Sequence, residues 1–288
     1  AALQTGDIDA AYGMAYDQYP KFQNDKYQFS SIQTSRAFFA TMNMDSDIMK
    51  DDKVREAIAY GINKDGFVNT LLQGHGVVGH GAFPDGFSNF GGDKVKEAKD
   101  YNQDKAKQLL TEAGWVDSDG DGIREKNGQK LTIKWLTYPS RQELPLLAES
   151  AQASLKEIGI NVEINNTANH KQFRKDKSSW DVYASALVTA PSGDPQYFFT
   201  TSTLPGSDYN YGNYKDDDVT KLVGELSKEF NNDKRGEMAV KLQDEILDDD
   251  AYVFCSFLQM NLISKKNVKN YTAHACDYYE ITADLDIE

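Results

Sequence analysis

The chain is poor in cysteine, has fewer basic than acidic residues, and has no long apolar run. Its 288 residues include two cysteines, Cys255 and Cys276, which are too few to decide the redox compartment, and the sequence leaves open whether they pair. No apolar stretch approaches the ~20 residues that a membrane-spanning helix needs. Acidic residues outnumber basic ones by 45 to 31, which gives a formal net charge of −14. This balance argues against nucleic acid and anionic membrane surfaces as partners.

Motifs of the common enzyme classes are also missing. The sequence contains no G-x-S-x-G elbow, no H-E-x-x-H, no P-loop and no dinucleotide-binding glycine fingerprint. Cys255 lies among apolar residues, which indicates a buried structural thiol rather than a nucleophile. The sequence leaves open whether two carboxylates form a glycosidase-type catalytic pair, because their separation is a property of the folded chain. We therefore predict a protein that is not an enzyme and uses no cofactor, with a hydrolytic enzyme as the remote alternative.

The hydrophobic pattern predicts an α/β fold. Residues 131–138 alternate with period two, an amphipathic helix follows from about Arg141, and residues 160–164 form the next strand, which makes a βαβ unit. Further strands are predicted at 36–43, 180–187, 251–258 and 260–264. Further helices are predicted after the caps Asp51 or Asp52, Asn63, Asn102, Asp216–218 and Asp233, with Phe230 on an inner face.

Residues 189–199, T-A-P-S-G-D-P-Q-Y-F-F, follow the strand at 180–187. Pro191 and Pro195 end that strand abruptly because proline cannot donate to a sheet ladder. Three aromatic residues come next. The pattern is typical of a cleft wall in an α/β domain, and equally of a tight strand-to-helix connection.

Two segments offer weak metal ligands. His75 and His80 lie five residues apart in a glycine-rich stretch at 74–84, where a surface loop is the favoured interpretation. Asp117, Asp119 and Asp121 match positions 1, 3 and 5 of a calcium loop, but the twelfth position is Gly128 instead of glutamate. A polar turn leading into a hairpin is favoured there.

Five segments, taken together, carry a family resemblance. They are L-Q-T-G-D-I-D-A at 3–10, V-R-E-A-I-A-Y-G-I-N-K at 54–64, A-K-Q-L-L-T-E-A-G-W at 106–115, D-S-D-G-D-G-I-R-E at 117–125 and G-D-P at 193–195. In this order they resemble the family 5, peptide/nickel-type extracellular solute-binding proteins of ATP-binding-cassette importers.

The resemblance implies the fold and the domain organisation. It predicts one lobe of a two-lobe, periplasmic-binding-protein-like fold (type II, cluster C), with a mixed sheet flanked by helices. Members are about twice as long, and this chain resembles their C-terminal part. Residues 1–29 would be the end of lobe I and the crossover, 30–255 lobe II, and 256–288 the return to lobe I. An N-terminal lobe would then be missing, and we expect the chain alone to bind solute weakly.

The resemblance also implies a function. The protein would capture a small solute between its lobes outside the cytoplasm, in the periplasm or lipid-anchored at the cell surface, and deliver it to the permease subunits of the importer. The ligand-binding residues would come from the segment after the strand at 180–187 and from an aromatic loop, for which a solvated loop is the alternative. They are Thr189, Pro191, Ser192, Asp194, Tyr197, Tyr209, Asn210 and Tyr211.

Departures from the family pattern bear on the solute. Peptide binders carry a carboxylate before Asp-Pro that accepts the peptide ammonium, whereas this chain has Val188, Ala190 and Pro191 there. A buried cation without a partner is costly. A nickel chelate or a similar small polar solute is therefore preferred, with a dipeptide or oligopeptide as the alternative. The histidine that nickel binders carry further on is also missing, because 206–208 is G-S-D.

Overall fold

The computed structural model describes residues 1–275 and 281–288. Within these ranges the strands are β1 (Ala10–Tyr12), β2 (Tyr27–Met42), β3 (Gly76–Val78), β4 (Glu125–Lys126), β5 (Gln129–Lys130), β6 (Thr132–Thr137), β7 (Asn161–Asn166), β8 (Val182–Val188), β9 (Tyr252–Lys265), β10 (Val268–Lys269) and β11 (Asp286–Ile287). The helices are α1 (Ala2–Thr5), α2 (Asp52–Gly61), α3 (Lys64–Gly66), α4 (Gln103–Glu112), α5 (Glu143–Lys156), α6 (His170–Lys175), α7 (Gln196–Ser202), α8 (Asp217–Leu226) and α9 (Asn232–Asp248). Tyr16–Phe22 and Gly92–Lys94 form 3-10 turns, and α3 continues as a π turn over Phe67–Leu71.

A seven-stranded mixed sheet organises the molecule. Its order is β1-β9-β2-β8-β6-β7, and β3 also pairs with β9. β2 is antiparallel to both of its neighbours, whereas β6 is parallel to β7 and β8. The predicted βαβ unit is confirmed as β6-α5-β7. Because its strands are parallel, their carboxyl ends lie at the same edge of the sheet.

Helices cover both faces of this sheet. On one face, α2, α4 and α5 bury residues such as Ala57, Leu109 and Leu147 against Trp135. On the other face, α7, α8 and α9 pack against the aromatic side chain of Phe39 and its neighbours. The predicted mixed sheet flanked by helices is therefore confirmed.

The two longest strands run through the predicted lobe boundaries. β2 and β9 pair from Tyr27↔Lys265 to Thr41↔Tyr252, with register shifts between Gln33/Ala37 and Phe38/Phe39. The part of β2 before the first shift pairs with the part of β9 that also carries β1. The division at 29/30 and 255/256 thus falls within continuous strands, and it stays a prediction.

The capping pattern placed most helices correctly. Side chains of Asp51, Asn63, Asn102 and Asp216 accept hydrogen bonds from the first-turn N–H groups of the helices that they were predicted to cap. The cap of α9 is instead Asn231, which accepts from the N–H groups of residues 233 and 234, so the prediction of Asp233 was wrong.

Three further predictions need correction. Phe230 is 90% exposed, because α8 ends at Leu226 and its apolar period does not continue. Residues 251–258 and 260–264 are not two strands, since β9 passes through Gln259 without a break. The glycine-rich stretch at 74–84 is not only a loop: β3 pairs with β9, and a Cβ at Gly79 would lie 2.8 Å from the carbonyl oxygen of Phe254.

Cys255 lies on β9 and is fully buried, and burial raises the pKa of its thiol to about 12. This agrees with the predicted structural thiol. Cys276 lies outside the described residues, so the question of pairing stays open. Across the described ranges, no helix is long and apolar enough to cross a membrane.

A buried carboxyl group lies between α9 and β9. Asp250 is 4% exposed, and the Lys99 ammonium lies 3.2 Å from its Oδ1. Burial raises the pKa of Asp250 to about 7; Lys99 and Arg55 oppose this rise, and Glu56 adds to it. The folded state therefore binds this proton more tightly than the unfolded chain.

We predict that Asp250 makes the stability of the protein depend on pH. Its folded pKa exceeds its unfolded pKa, so its contribution to stability is complete below about pH 4 and is lost as the pH rises through about 7. Relative to Asp250→Asn, the free energy of unfolding of the wild type should fall by up to about 4 kcal/mol between these limits. Denaturant unfolding across this pH range measures the difference. Asp208→Asn, on an exposed loop, is the control substitution, and a pH-independent difference for Asp250→Asn would contradict the prediction.

Candidate functional site

The carboxyl edge of the parallel strands is the natural place for a site. In open α/β sheets, ligands bind in the crevice beyond the carboxyl ends of the strands, since the loops there diverge. In this chain, Tyr138 follows β6, His170 follows β7, and Thr189 follows β8. Two cavities open along this edge.

The first cavity, of about 190 Å³, is mainly aromatic. We call it the aromatic pocket and define it by the six side chains that give it its chemistry. They are Tyr138, His170, Arg174, Tyr183, Tyr209 and Tyr211.

Ring contacts hold the aromatic pocket together. The His170 ring lies 4.1 Å from that of Tyr138, and the ring of Tyr211 meets that of Tyr183 edge-on at 5.6 Å. The Arg174 guanidinium carbon lies 3.5 Å from the centre of the Tyr211 ring, a close cation–π contact. The rings are thus packed into one arrangement before any ligand arrives.

The aromatic pocket is electropositive, although the chain is strongly acidic. Arg174 and Lys171 line it, and the described residues of its lining include no carboxylate. Burial raises the pKa of Tyr138, while the positive charges of Arg141, Arg36 and Arg174 oppose that rise. Such a pocket favours a ligand with anionic groups.

The second cavity, of about 380 Å³, lies on the α5 side of the same edge. We call it the Glu143 cavity, after the buried first residue of α5. The Tyr16 hydroxyl donates a 2.7 Å hydrogen bond to Glu143 Oε1, and Gln142 Nε2 donates to the Met14 carbonyl. Burial, with the nearby Glu143 charge, raises the pKa of Tyr16, and for the same reasons that of Tyr19 rises to about 12. These two hydrogen bonds join the N-terminal segment to the start of α5 at the Glu143 cavity.

The stretch 189–199 forms a strand-to-helix connection that ends in α7. Thr189 is buried, and its N–H and hydroxyl both donate to the Ser35 carbonyl, at 2.8 and 3.1 Å. Pro191 and Ser192 are exposed, whereas Tyr197 is partly buried on α7. None of these side chains lines the aromatic pocket.

Asp194 is engaged in the protein itself. Arg235 Nη2 donates to Asp194 Oδ1 and Oδ2 at 2.8 and 2.6 Å, and Oδ1 also accepts the Gln196 N–H. Arg235 donates further to the Leu226 and Glu229 carbonyls. This ion pair fastens the start of α7 to α9 and to the turn after α8.

The predicted aromatic loop, residues 209–211, contributes two of its three side chains to the pocket. Tyr209 and Tyr211 line the aromatic pocket, and their contact with a ligand stays a prediction. Asn210 between them uses its amide internally, donating to the Leu204 and Tyr214 carbonyls and accepting the Tyr214 N–H. Its predicted contact with a ligand therefore stays a prediction.

The histidines of the glycine-rich stretch lie in different surroundings. The His75 ring packs against Tyr19 at 4.5 Å, and burial lowers its pKa. His80 Nδ1 lies 2.9 Å from Asp85 Oδ2. Neither belongs to a cluster of three potential metal ligands among the described residues.

The acidic turn is closed by a lysine. Asp117, Asp119 and Glu125 do lie close enough to share an ion. However, Lys130 Nζ already contacts Asp119 Oδ2 at 2.7 Å and Asp121 Oδ1 at 2.8 Å. The predicted polar turn leading into a hairpin is confirmed as the β4–β5 pair.

Four pocket residues were missed from the sequence: Tyr138, His170, Arg174 and Tyr183. Tyr138 and Tyr183 were placed in strands, and α6, which carries His170 and Arg174, was not predicted. The available signal was positional, because Tyr138 and His170 each follow a parallel strand. Parallel strands that pair in the fold bring such residues together. Because these residues are far apart in the sequence, their proximity cannot be seen from the sequence.

Comparison with known proteins gives a family match and several relatives. The family model "Bacterial extracellular solute-binding proteins, family 5 Middle" matches residues 1–210. The oligopeptide-binding protein AppA of Bacillus subtilis is 28% identical over 280 residues, covering 95% of this chain and 51% of AppA. The nickel-binding periplasmic protein of Escherichia coli is 26% identical over 279 residues, covering 93% of this chain and 52% of that protein. The chain thus spans about half the length of these curated relatives.

A solved structure shows the same fold. NikA from Staphylococcus aureus, in complex with Ni(L-His)2, superposes with a TM-score of 0.84 at 22% sequence identity, over 100% of this chain and 59% of NikA. The predicted α/β, periplasmic-binding-protein-like fold is confirmed by this likeness.

We predict that Asp194 and Arg235 act as one structural unit. Asp194→Ala should lower the free energy of unfolding by about 1–3 kcal/mol, because Arg235 is then left largely buried without its anion. In a double-mutant cycle with Arg235→Ala, the two losses should fall short of additivity by about 0.5–3 kcal/mol. Asp208→Ala combined with Arg235→Ala is the control and should be additive. Additive losses for Asp194 and Arg235 would show that the pair does not fasten α7.

Proposed function

The chain belongs to the family 5 bacterial extracellular solute-binding proteins, and on that premise we propose that it is part of the binding component of an ATP-binding-cassette importer. Its solute would be a nickel chelate or a similar small polar compound, captured between two lobes. The relatives are named for binding oligopeptides and nickel, not for catalysis. The family description places such proteins outside the cell.

The electropositive aromatic pocket is the observation that supports a nickel chelate as the solute. Lys171 and Arg174 would repel a bare Ni²⁺ ion, since the described lining offers no carboxylate to offset their charge. A chelate that presents carboxylates would instead pair with these cations, and its planar groups could stack on the tyrosine rings. The bonding of Asp194 to Arg235 removes it as a partner for a peptide ammonium.

Peptide binding remains the second candidate, and the Glu143 cavity favours it. Glu143 is 5% exposed, and its Oε1 accepts the Tyr16 hydrogen bond at the same edge of the sheet. A peptide could place its ammonium there and its carboxylate toward Arg141, which also lines this cavity. The likeness to AppA over 95% of the chain supports this alternative.

The proposed mechanism is capture by lobe closure. We propose that 1–29 and 256–288 belong to lobe I, that 30–255 form lobe II, and that an N-terminal lobe completes the cleft. The register shift between Gln33 and Ala37 lies where β2 leaves the helix-covered part of the sheet, so it is the place where this chain could bend. A solute that contacts both lobes shifts the equilibrium toward the closed form, which then docks on the permease at the periplasmic or outer face of the membrane.

We predict that the complete two-lobe protein is stabilised by a nickel chelate. Nickel with L-histidine should raise the melting temperature by several degrees, because a ligand that binds only the folded state stabilises it. Nickel alone and a mixed peptide library should have little effect. Arg174→Ala should remove most of the rise, and Lys228→Ala, an exposed lysine after α8, should keep it. A rise in melting temperature with peptides alone would overturn the proposed chelate in favour of a peptide solute.

A further inference from the structure

The aromatic pocket contains a histidine whose contacts suit a metal ligand. Of the four histidines in the sequence, His170 is the one that lines this pocket. We propose that His170 Nε2 coordinates the metal ion of the captured chelate. This inference rests on the proposed function, and it assigns a direct metal bond to one residue of this chain.

The orientation of the imidazole is the first argument. His170 Nδ1 lies 2.7 Å from the Tyr183 hydroxyl oxygen, and Tyr183 is only 1% exposed. The rings of Tyr138 and Tyr183 flank the imidazole at 4.1 and 5.9 Å. Metal-binding histidines commonly have one nitrogen held by such a neighbour, which orients the ring and leaves the other nitrogen for the metal. Within the described chain, Nε2 has no hydrogen-bond partner.

The tautomer of the imidazole is the second argument. Where Nδ1–H donates its hydrogen bond to the Tyr183 oxygen, Nε2 carries the lone pair, which is the form that binds a metal. Burial, together with the positive charges of Arg174 and Lys171, lowers the pKa of His170 below its ordinary value, which is the direction that metal binding requires.

The surrounding cations define the class of ligand. Imidazole suits nickel, copper and zinc, but Arg174 and Lys171 make the pocket unfavourable for a free divalent ion. A metal already bound to a carboxylate-bearing chelator avoids this repulsion, because its carboxylates meet the two cations. Nε2 would donate its lone pair to the metal and one coordinated water would leave, so the chelate must keep one exchangeable position.

The test uses the complete two-lobe protein with nickel and L-histidine at a 1:1 ratio. X-ray absorption at the nickel edge counts imidazole ligands, and calorimetry gives the affinity. We expect one more imidazole per nickel in the protein-bound complex than in the same mixture without protein. His170→Phe keeps a ring against Tyr138 but offers no nitrogen, and it should lose that imidazole and about 10- to 100-fold in affinity.

Two further variants make the result decisive. His80→Phe, which removes an imidazole outside the pocket, should leave both the spectrum and the affinity unchanged. His170→Gln, with its melting temperature measured without ligand, replaces His170→Phe if that variant does not fold. A wild-type spectrum without the extra imidazole, or one that persists in the His170 variants, would overturn the inference while leaving chelate capture intact. Binding of peptides but of no nickel–histidine would overturn the proposed function as well.

Discussion

The pairing of β2 with β9 is the interaction on which the rest of the structure depends. These two strands lie in the middle of the sheet, and every other strand of that sheet is attached on one side or the other of them. One end of the pair is enclosed by helices, and the other carries β1 and the N-terminal segment. The register shift after Gln33 separates these ends, and the carboxyl edge with its two cavities lies beside it. The candidate site is thus built beside a register shift of the central ladder.

Charge is distributed unevenly along this edge. A chain with net charge −14 places arginine and lysine around one aromatic pocket, and it keeps a buried glutamate, Glu143, in the neighbouring cavity. Elsewhere the acidic side chains are used within the protein, as at Asp194 with Arg235 and in the turn closed by Lys130. Acidic side chains therefore have a structural role where they pair with Arg235 or Lys130, and a candidate binding role at Glu143. The neighbouring side chains distinguish the two roles.

Membership of the family and the choice of solute rest on different kinds of observation. Membership follows from a match over residues 1–210 and from a shared fold. The proposed solute rests on a few side chains in a pocket of about 190 Å³, and relatives of one fold are named for nickel and for oligopeptides. This is why the proposal rests on the lining of the pocket, and why His170 and Arg174 are the residues to test.

Most of the local structure could be predicted from the residues alone. Capping residues such as Asn102 and the alternation before Tyr138 predicted most elements and the βαβ unit, because those signals act between near neighbours in the chain. Residue motifs also indicated the family. Three facts came from the folded chain and not from the pattern: β9 is one strand, Phe230 faces solvent, and Tyr138, His170 and Tyr211 share a pocket. These facts depend on which strands pair and which loops meet, and contacts between residues tens of positions apart leave no periodic trace in the sequence.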